Sequence, residues 1–152
     1  MVRARYRIAG WEALLGPNQV WAQAWDPARH AQPSRPLVSV VITAPRPGDL
    51  LTKAFASVAM QTCPDLEVVL VEPVPGEGAE LLQQVLRHRP GLRHQLVRAS
   101  GGALAARNAG IAAAQGRFVV PLGERDFLEP EYLERALAAL ASEPAAGLAF
   151  SD

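Results

Sequence analysis

The stretch Pro121-Leu-Gly-Glu-Arg-Asp-Phe-Leu-Glu-Pro130 follows a short apolar run and sets Glu124 and Asp126 two residues apart. Carboxylates at that spacing in a loop are the kind of oxygen ligand that holds a divalent ion against a phosphate. Their surroundings argue against it. Gly123 offers no ligand, and Arg125 puts a guanidinium between the two acids. A carboxylate–cation pair at ~4 Å is worth ~4 kcal/mol at an effective dielectric of 20, so an ion beside Arg125 meets repulsion of similar size. Three chemistries stay open for this loop. It is a metal site shifted by one residue, a metal-free site where Arg125 forks onto phosphate oxygens, or a surface turn. In the turn, Arg125 pairs with Glu124, Asp126 or Glu129 for ~0–1 kcal/mol.

Ser100-Gly101-Gly102-Ala103-Leu104-Ala105-Ala106-Arg107-Asn108 is the second informative segment. Glycines before a helix let backbone N–H groups approach an anion, and the helix N-terminus adds a favourable dipole. Arg107 would bring a charge about one turn further in. The competing reading is a tight turn into a helix whose small residues pack close to a sheet. Other chemistry is absent. There is no GxxxxGK and no GxGxxG after the first strand, and Gly76-Glu77-Gly78 reads equally well as a turn. His30, His88 and His94 lack ligand spacing, and neither Ser57 nor Ser100 lies in a nucleophile elbow. Fifteen Lys and Arg balance fifteen Asp and Glu, which gives no electrostatic case for nucleic acid as main partner. Cys63 is the only cysteine, so no intramolecular disulfide forms, in keeping with a reducing, cytoplasmic location. No apolar run reaches the ~18 residues of a membrane span.

The elements that must position these loops follow from periodicity. Residues 1–36 are irregular, contain Trp11, Trp21 and Trp25, and end in a Pro-rich linker, which suggests an arm whose indoles pack on a domain or partner surface. From Leu37 the pattern is regular. LVSVVIT (37–43) and LEVVLVE (66–72) are continuous apolar runs that predict strands buried on both faces. HQLVR (94–98) predicts a weaker strand, RFVVPL (117–122) a fourth with Val119 and Val120 buried, and GLAFS (147–151) the start of a fifth. Helices are expected over 49–61, 78–89, 102–115 and 130–142, the third stopped by Gly116 and the last opened by Pro130 in its first turn. Alternating strands and helices imply an α/β fold: a Rossmann-like, parallel-centred sheet with helices on both faces and ligands at the carboxyl ends of the strands.

These segments, in this order and spacing, resemble family 2 glycosyltransferases over residues 37–152, and the carriers are LVSVVIT, SVAMQTCPDLEVVLVE, GGALAARNAGIAAAQGRFVVPL, RDFLEPEYLERALAAL and GLAFSD. The resemblance implies the nucleotide-binding half of a GT-A fold and a nucleotide-diphosphate-sugar donor. It assigns candidate donor contacts to the positions of Thr43, Glu72, Arg107 and Asn108, and Arg125 joins these candidates through the phosphate-binding chemistry of its guanidinium. The departures are equally specific. Thr43-Ala44-Pro45-Arg46 stands where the family has Pro-Thr-Tyr-Asn, Glu72-Pro73 replaces paired aspartates, and Gly123 and Arg125 replace the two aspartates of the metal motif Asp-x-Asp. No cofactor is therefore expected, and manganese or magnesium only if the shifted pair Glu124 and Asp126 is functional. The family's acceptor-binding half and catalytic base lie beyond the residues matched here, so no catalytic residue is assigned. Two classes of function follow: a donor-binding domain inactive as this chain alone, with an acceptor half or protein partner elsewhere, or a non-catalytic scaffolding domain on the same fold.

Overall fold

The computed structural model describes residues 35–44, 49–73, 76–143 and 145–150. The expected arm, with its three tryptophans, lies outside the described residues except for Arg35 and Pro36. The described chain falls into two compact units, residues 35–130 and 131–150.

The first unit alternates strictly: β1 (Val38–Thr43), α1 (Asp49–Ala59), β2 (Leu66–Glu72), α2 (Glu77–His88), β3 (Arg93–Arg98), α3 (Ala103–Ala113) and β4 (Phe118–Gly123). The four strands form one parallel sheet in the order β3-β2-β1-β4. The chain steps outward from β1 to β3, then crosses back through α3 to place β4 on the far side of β1. That reversal of direction puts the topological switch point at the carboxyl ends of β1 and β4.

Helices cover both faces, and two glycines show how closely. A Cβ on Gly110 of α3 would lie 2.3 Å from Val41 and 2.7 Å from Val71, so α3 rests directly on the face formed by the odd-numbered residues of β1 and β2. A Cβ on Gly78 of α2 would lie 3.3 Å from Leu70 and 3.5 Å from Leu51, which puts α1 and α2 against the opposite face. Every residue of β1 and β2 is buried, as continuous apolar runs require when both faces are covered. Val40, Val41, Ile42, Val69 and Leu70 have no exposed surface.

β4 departs from expectation. Val119 is 37% exposed and Val120 only half-buried. The physical reason is position: β4 is an edge strand, and α3 packs mainly over β1, β2 and β3. Phe118 donates its N–H to Leu37 O at 3.0 Å. By alternation the amide position of Pro121 faces away from β1, where a missing N–H breaks no ladder bond.

At the amino-terminal edge of the sheet, charged groups hold helix ends in place. The Arg89 guanidinium donates to Ala59 O (3.1 Å), Gln61 O (3.2 Å) and Cys63 O (2.9 Å), capping α1. Glu67, 2% exposed, accepts bonds from Ser39 Oγ, from Gln115 N–H (2.6 Å) and from Gln95 Nε2 (3.0 Å). Ser39 Oγ in turn accepts from Gly116 N–H at 2.7 Å. The helix before Gly116 already ends at Ala113. Gly116 is required because a Cβ there would sit 2.6 Å from the Ser39 backbone nitrogen.

The second unit contains α4 (Tyr132–Ser142), with Leu133, Leu137, Ala138 and Ala139 buried. Its N-cap is Glu131, so Pro130 precedes the helix instead of entering its first turn. Where a fifth strand was expected at 147–151, the described residues 147–150 carry none. Among the described residues no helix is long and apolar enough to cross a membrane.

Candidate functional site

The site is built at the switch point. Thr43 ends β1 and lies in register with Gly123, the end of β4. By strand alternation from Val41, Thr43 belongs to the face that carries α3, and it is nearly buried at 9% exposure. The loop that follows β4 closes on itself. Asp126 Oδ2 accepts the Gly123 N–H at 3.1 Å, and Asp126 N–H donates to Gly123 O at 3.1 Å. Asp126 thereby acts as the short-range turn former that aspartate is suited to be. A Cβ at position 123 would lie 2.7 Å from Asp126 Oδ2. The inward fold of this carboxylate and the glycine at 123 therefore require one another.

Three further bonds fix the rest of the loop along α1. Leu128 N–H donates to Ser57 Oγ (3.1 Å), Gln61 Nε2 to Glu129 O (2.7 Å), and Thr62 N–H to Pro130 O (3.0 Å). One acid of the shifted pair is committed to a backbone N–H, position 123 brings no ligand, and the exposed Arg125 stands between them. Among the described residues no group of three or more His, Cys, Asp or Glu side chains is arranged to hold a metal.

On the same face, Gly101 and Gly102 precede α3 with φ of 110° and 91°. Both lie in the region that disfavours L side chains, so the glycine pair is a backbone requirement. No side chain caps the helix start. Arg107 and Asn108 follow in the first half of α3, both exposed.

Glu72 is placed differently. It ends β2 on the face of Leu70, and a Cβ on Gly78 of α2 would lie 2.7 Å from its Oε2. It has no exposed surface, and neither carboxylate oxygen has a hydrogen-bond partner among the described residues. The candidate residues thus divide: Thr43, Arg107 and Asn108 share the α3 face, Arg125 lies in the turn after β4, and Glu72 faces α2. The Asp126–Gly123 turn went unread in the sequence, because the carboxylate reaches back three residues to the Gly123 N–H, whereas the turn an aspartate signals in sequence bonds backbone two residues on.

The family model for glycosyl transferase family 2 matches residues 39–151. The chain belongs to this family. It is 32% identical over 107 residues to the succinoglycan biosynthesis protein ExoO of Rhizobium meliloti, covering 67% of this chain and 29% of that protein. It is 29% identical over 103 residues to the chondroitin synthase of Pasteurella multocida, covering 67% of this chain and 11% of that one. The family 2 chain thus spans well under half the length of these relatives. Among solved structures, S. aureus TarS 1–349 superposes with a TM-score of 0.61 at 26% identity, over 71% of this chain and 33% of that one. The mannosyltransferase PcManGT from Pyrobaculum calidifontis, in complex with GDP-Man and Mn2+, gives a TM-score of 0.59 at 23% identity, over 80% and 40%. The sheet matches the N-terminal α/β half of the GT-A fold, as the sequence resemblance implied.

Proposed function

We propose that this family 2 domain is a donor half that engages the diphosphate of a nucleotide sugar without a divalent ion at the 121–130 loop, and that it transfers no sugar as this chain alone. The observation that carries the reading is the residue pair Gly123 and Arg125 in place of the two aspartates, with the neighbouring Asp126 turned back so that one of its oxygens accepts the Gly123 N–H. A guanidinium supplies fixed positive charge and paired N–H donors to phosphate oxygens. Arg107, Asn108 and the glycine-led start of α3, on the sheet face to which Thr43 belongs, are the further donor contacts of this reading. Relatives supply the ligand class: TarS 1–349 has been solved with UDP-GlcNAc and with UDP, and PcManGT with GDP-Man and Mn2+. No residue in the described part is assigned as a catalytic base, and transfer then depends on an acceptor half supplied elsewhere.

Calorimetric titration of UDP and GDP into the chain, with and without manganese, tests the reading. Binding is expected to be independent of manganese and weakened roughly tenfold by Arg125→Ala, the ~1.4 kcal/mol of one charge-assisted contact. Manganese-dependent binding abolished by Glu124→Ala would reverse the assignment. Absence of any nucleotide binding would leave the scaffolding role as the function of the fold.

A further inference from the structure

The loop that follows β4 has little packing of its own. From Arg125 to Pro130 every residue except Leu128 is exposed, and Phe127 is 67% exposed. A stretch with so few buried apolar contacts opens readily unless something else fixes it. Here polar contacts with the end of α1 do so. Ser57, in the last turn of α1, accepts the Leu128 N–H at 3.1 Å and donates to Ala54 O at 2.7 Å, so its hydroxyl is engaged on both sides. Gln61 is 4% exposed, and its Nε2 donates to Ser57 O (3.1 Å) and to Glu129 O (2.7 Å). Thr62 N–H donates to Pro130 O at 3.0 Å. Residues 128, 129 and 130 thus follow 57, 61 and 62 in order, and the loop is strapped to the helix.

The other end of the strap is the turn in which Asp126 Oδ2 and N–H engage Gly123. Arg125 lies inside that turn, three residues before Leu128, and its side chain takes no part in any of these bonds. Where the guanidinium stands therefore depends on the backbone that the two anchorages fix.

We propose that Ser57 and Gln61 are positioning residues for the donor site, holding the 121–130 loop so that Arg125 meets the diphosphate. The inference rests on the diphosphate reading of Arg125 given above. The physical effect is preorganisation: a loop already fixed costs less to order when the ligand binds. If release from α1 leaves roughly a fifth of the molecules with the competent loop, apparent affinity falls about fivefold. A strap that served stability alone would lower the melting temperature and leave nucleotide affinity unchanged.

The test is a double-mutant cycle of Ser57→Ala and Arg125→Ala in the full 152-residue chain, titrated by calorimetry with UDP and with GDP. Amide hydrogen exchange is read on the same proteins. Ser57→Ala alone is expected to weaken binding about fivefold, and by under about twofold when Arg125 is already alanine, because the hydroxyl acts through the loop that carries the guanidinium. Exchange is expected to quicken at residues 124–130 and to stay slow in β1 and β2. Gln61→Met keeps the side chain's length, removes its donor, and should repeat the pattern. Unchanged affinity in Ser57→Ala, an equal loss in both backgrounds, or unchanged exchange at 124–130 would each overturn the proposal. If Arg125→Ala weakens binding and Ser57→Ala does not, the positioning role alone falls. If the unmutated chain binds neither nucleotide, or Arg125→Ala binds as tightly as the unmutated chain, the diphosphate reading falls and takes the positioning role with it.

Discussion

Two buried glutamates on one strand, Glu67 and Glu72, have opposite environments. Glu67, near the start of β2, points toward α3 and accepts bonds from Ser39, Gln95 and Gln115. Glu72, at the end of the same strand, points toward α2 and has no partner on either oxygen among the described residues. A buried carboxylate that accepts several hydrogen bonds holds elements together, whereas one that accepts none is a destabilising presence that folding must tolerate. The contrast matches the two edges of the sheet. The amino-terminal edge is closed by hydrogen-bonded polar networks and helix caps; the carboxyl-terminal edge carries the unpartnered Glu72 and a glycine pair at positive φ.

The largest expected effect breaks the closed edge. Glu67→Ala orphans the Ser39 hydroxyl, the Gln115 N–H and one Gln95 bond, and should lower unfolding free energy by about 3 kcal/mol. A urea-midpoint shift worth under 1 kcal/mol would show that the two glutamates are energetically alike. Gly116→Ala attacks the same network sterically, since its Cβ would meet the Ser39 backbone nitrogen at 2.6 Å. A loss of about 2–3 kcal/mol is expected from such overpacking. Removing the α1 cap with Arg89→Ala should cost about 2 kcal/mol, the scale of a hydrogen-bonded charge withdrawn from several carbonyls, measured as a fall in melting temperature. Smallest is the change at the open edge. Glu72→Met replaces an unpartnered carboxylate with a side chain of similar length and should raise stability by about 1 kcal/mol. A fall of that size would mean that the carboxylate is satisfied in solution, and the contrast between the edges would collapse.

The sheet was legible because its central strands announce themselves. LVSVVIT and LEVVLVE are unbroken apolar runs, and only burial on two faces rewards such composition. The same logic misled at RFVVPL, where an edge strand carries a central-strand sequence. Nothing local distinguishes the two, because the coverage of β4 is decided by where α3 lands. Pro130 misled for a related reason: proline suits a first helical turn, but here its carbonyl is held by Thr62 and the helix begins two residues later. At the candidate site, Gly123 and Arg125 were readable as losses, while the inward turn of Asp126 depends on backbone geometry. Glu67 and Ser39 stood in plain view as polar interruptions of apolar strands. Their partners, Gln95, Gln115 and Gly116, are distant in sequence and appear only when the fold brings them together.

Pro121 carries one more consequence. On the outward side of β4 it offers no donor, and two residues later the Gly123 N–H and carbonyl are both occupied by Asp126. A strand pairing with the outward side of Phe118–Gly123 would meet no donor at Pro121 and an occupied one at Gly123, and so could not zip up a continuous ladder. The exposed valine on this margin would otherwise invite end-to-end ribbons in concentrated solution, and a single imino acid withholds the template.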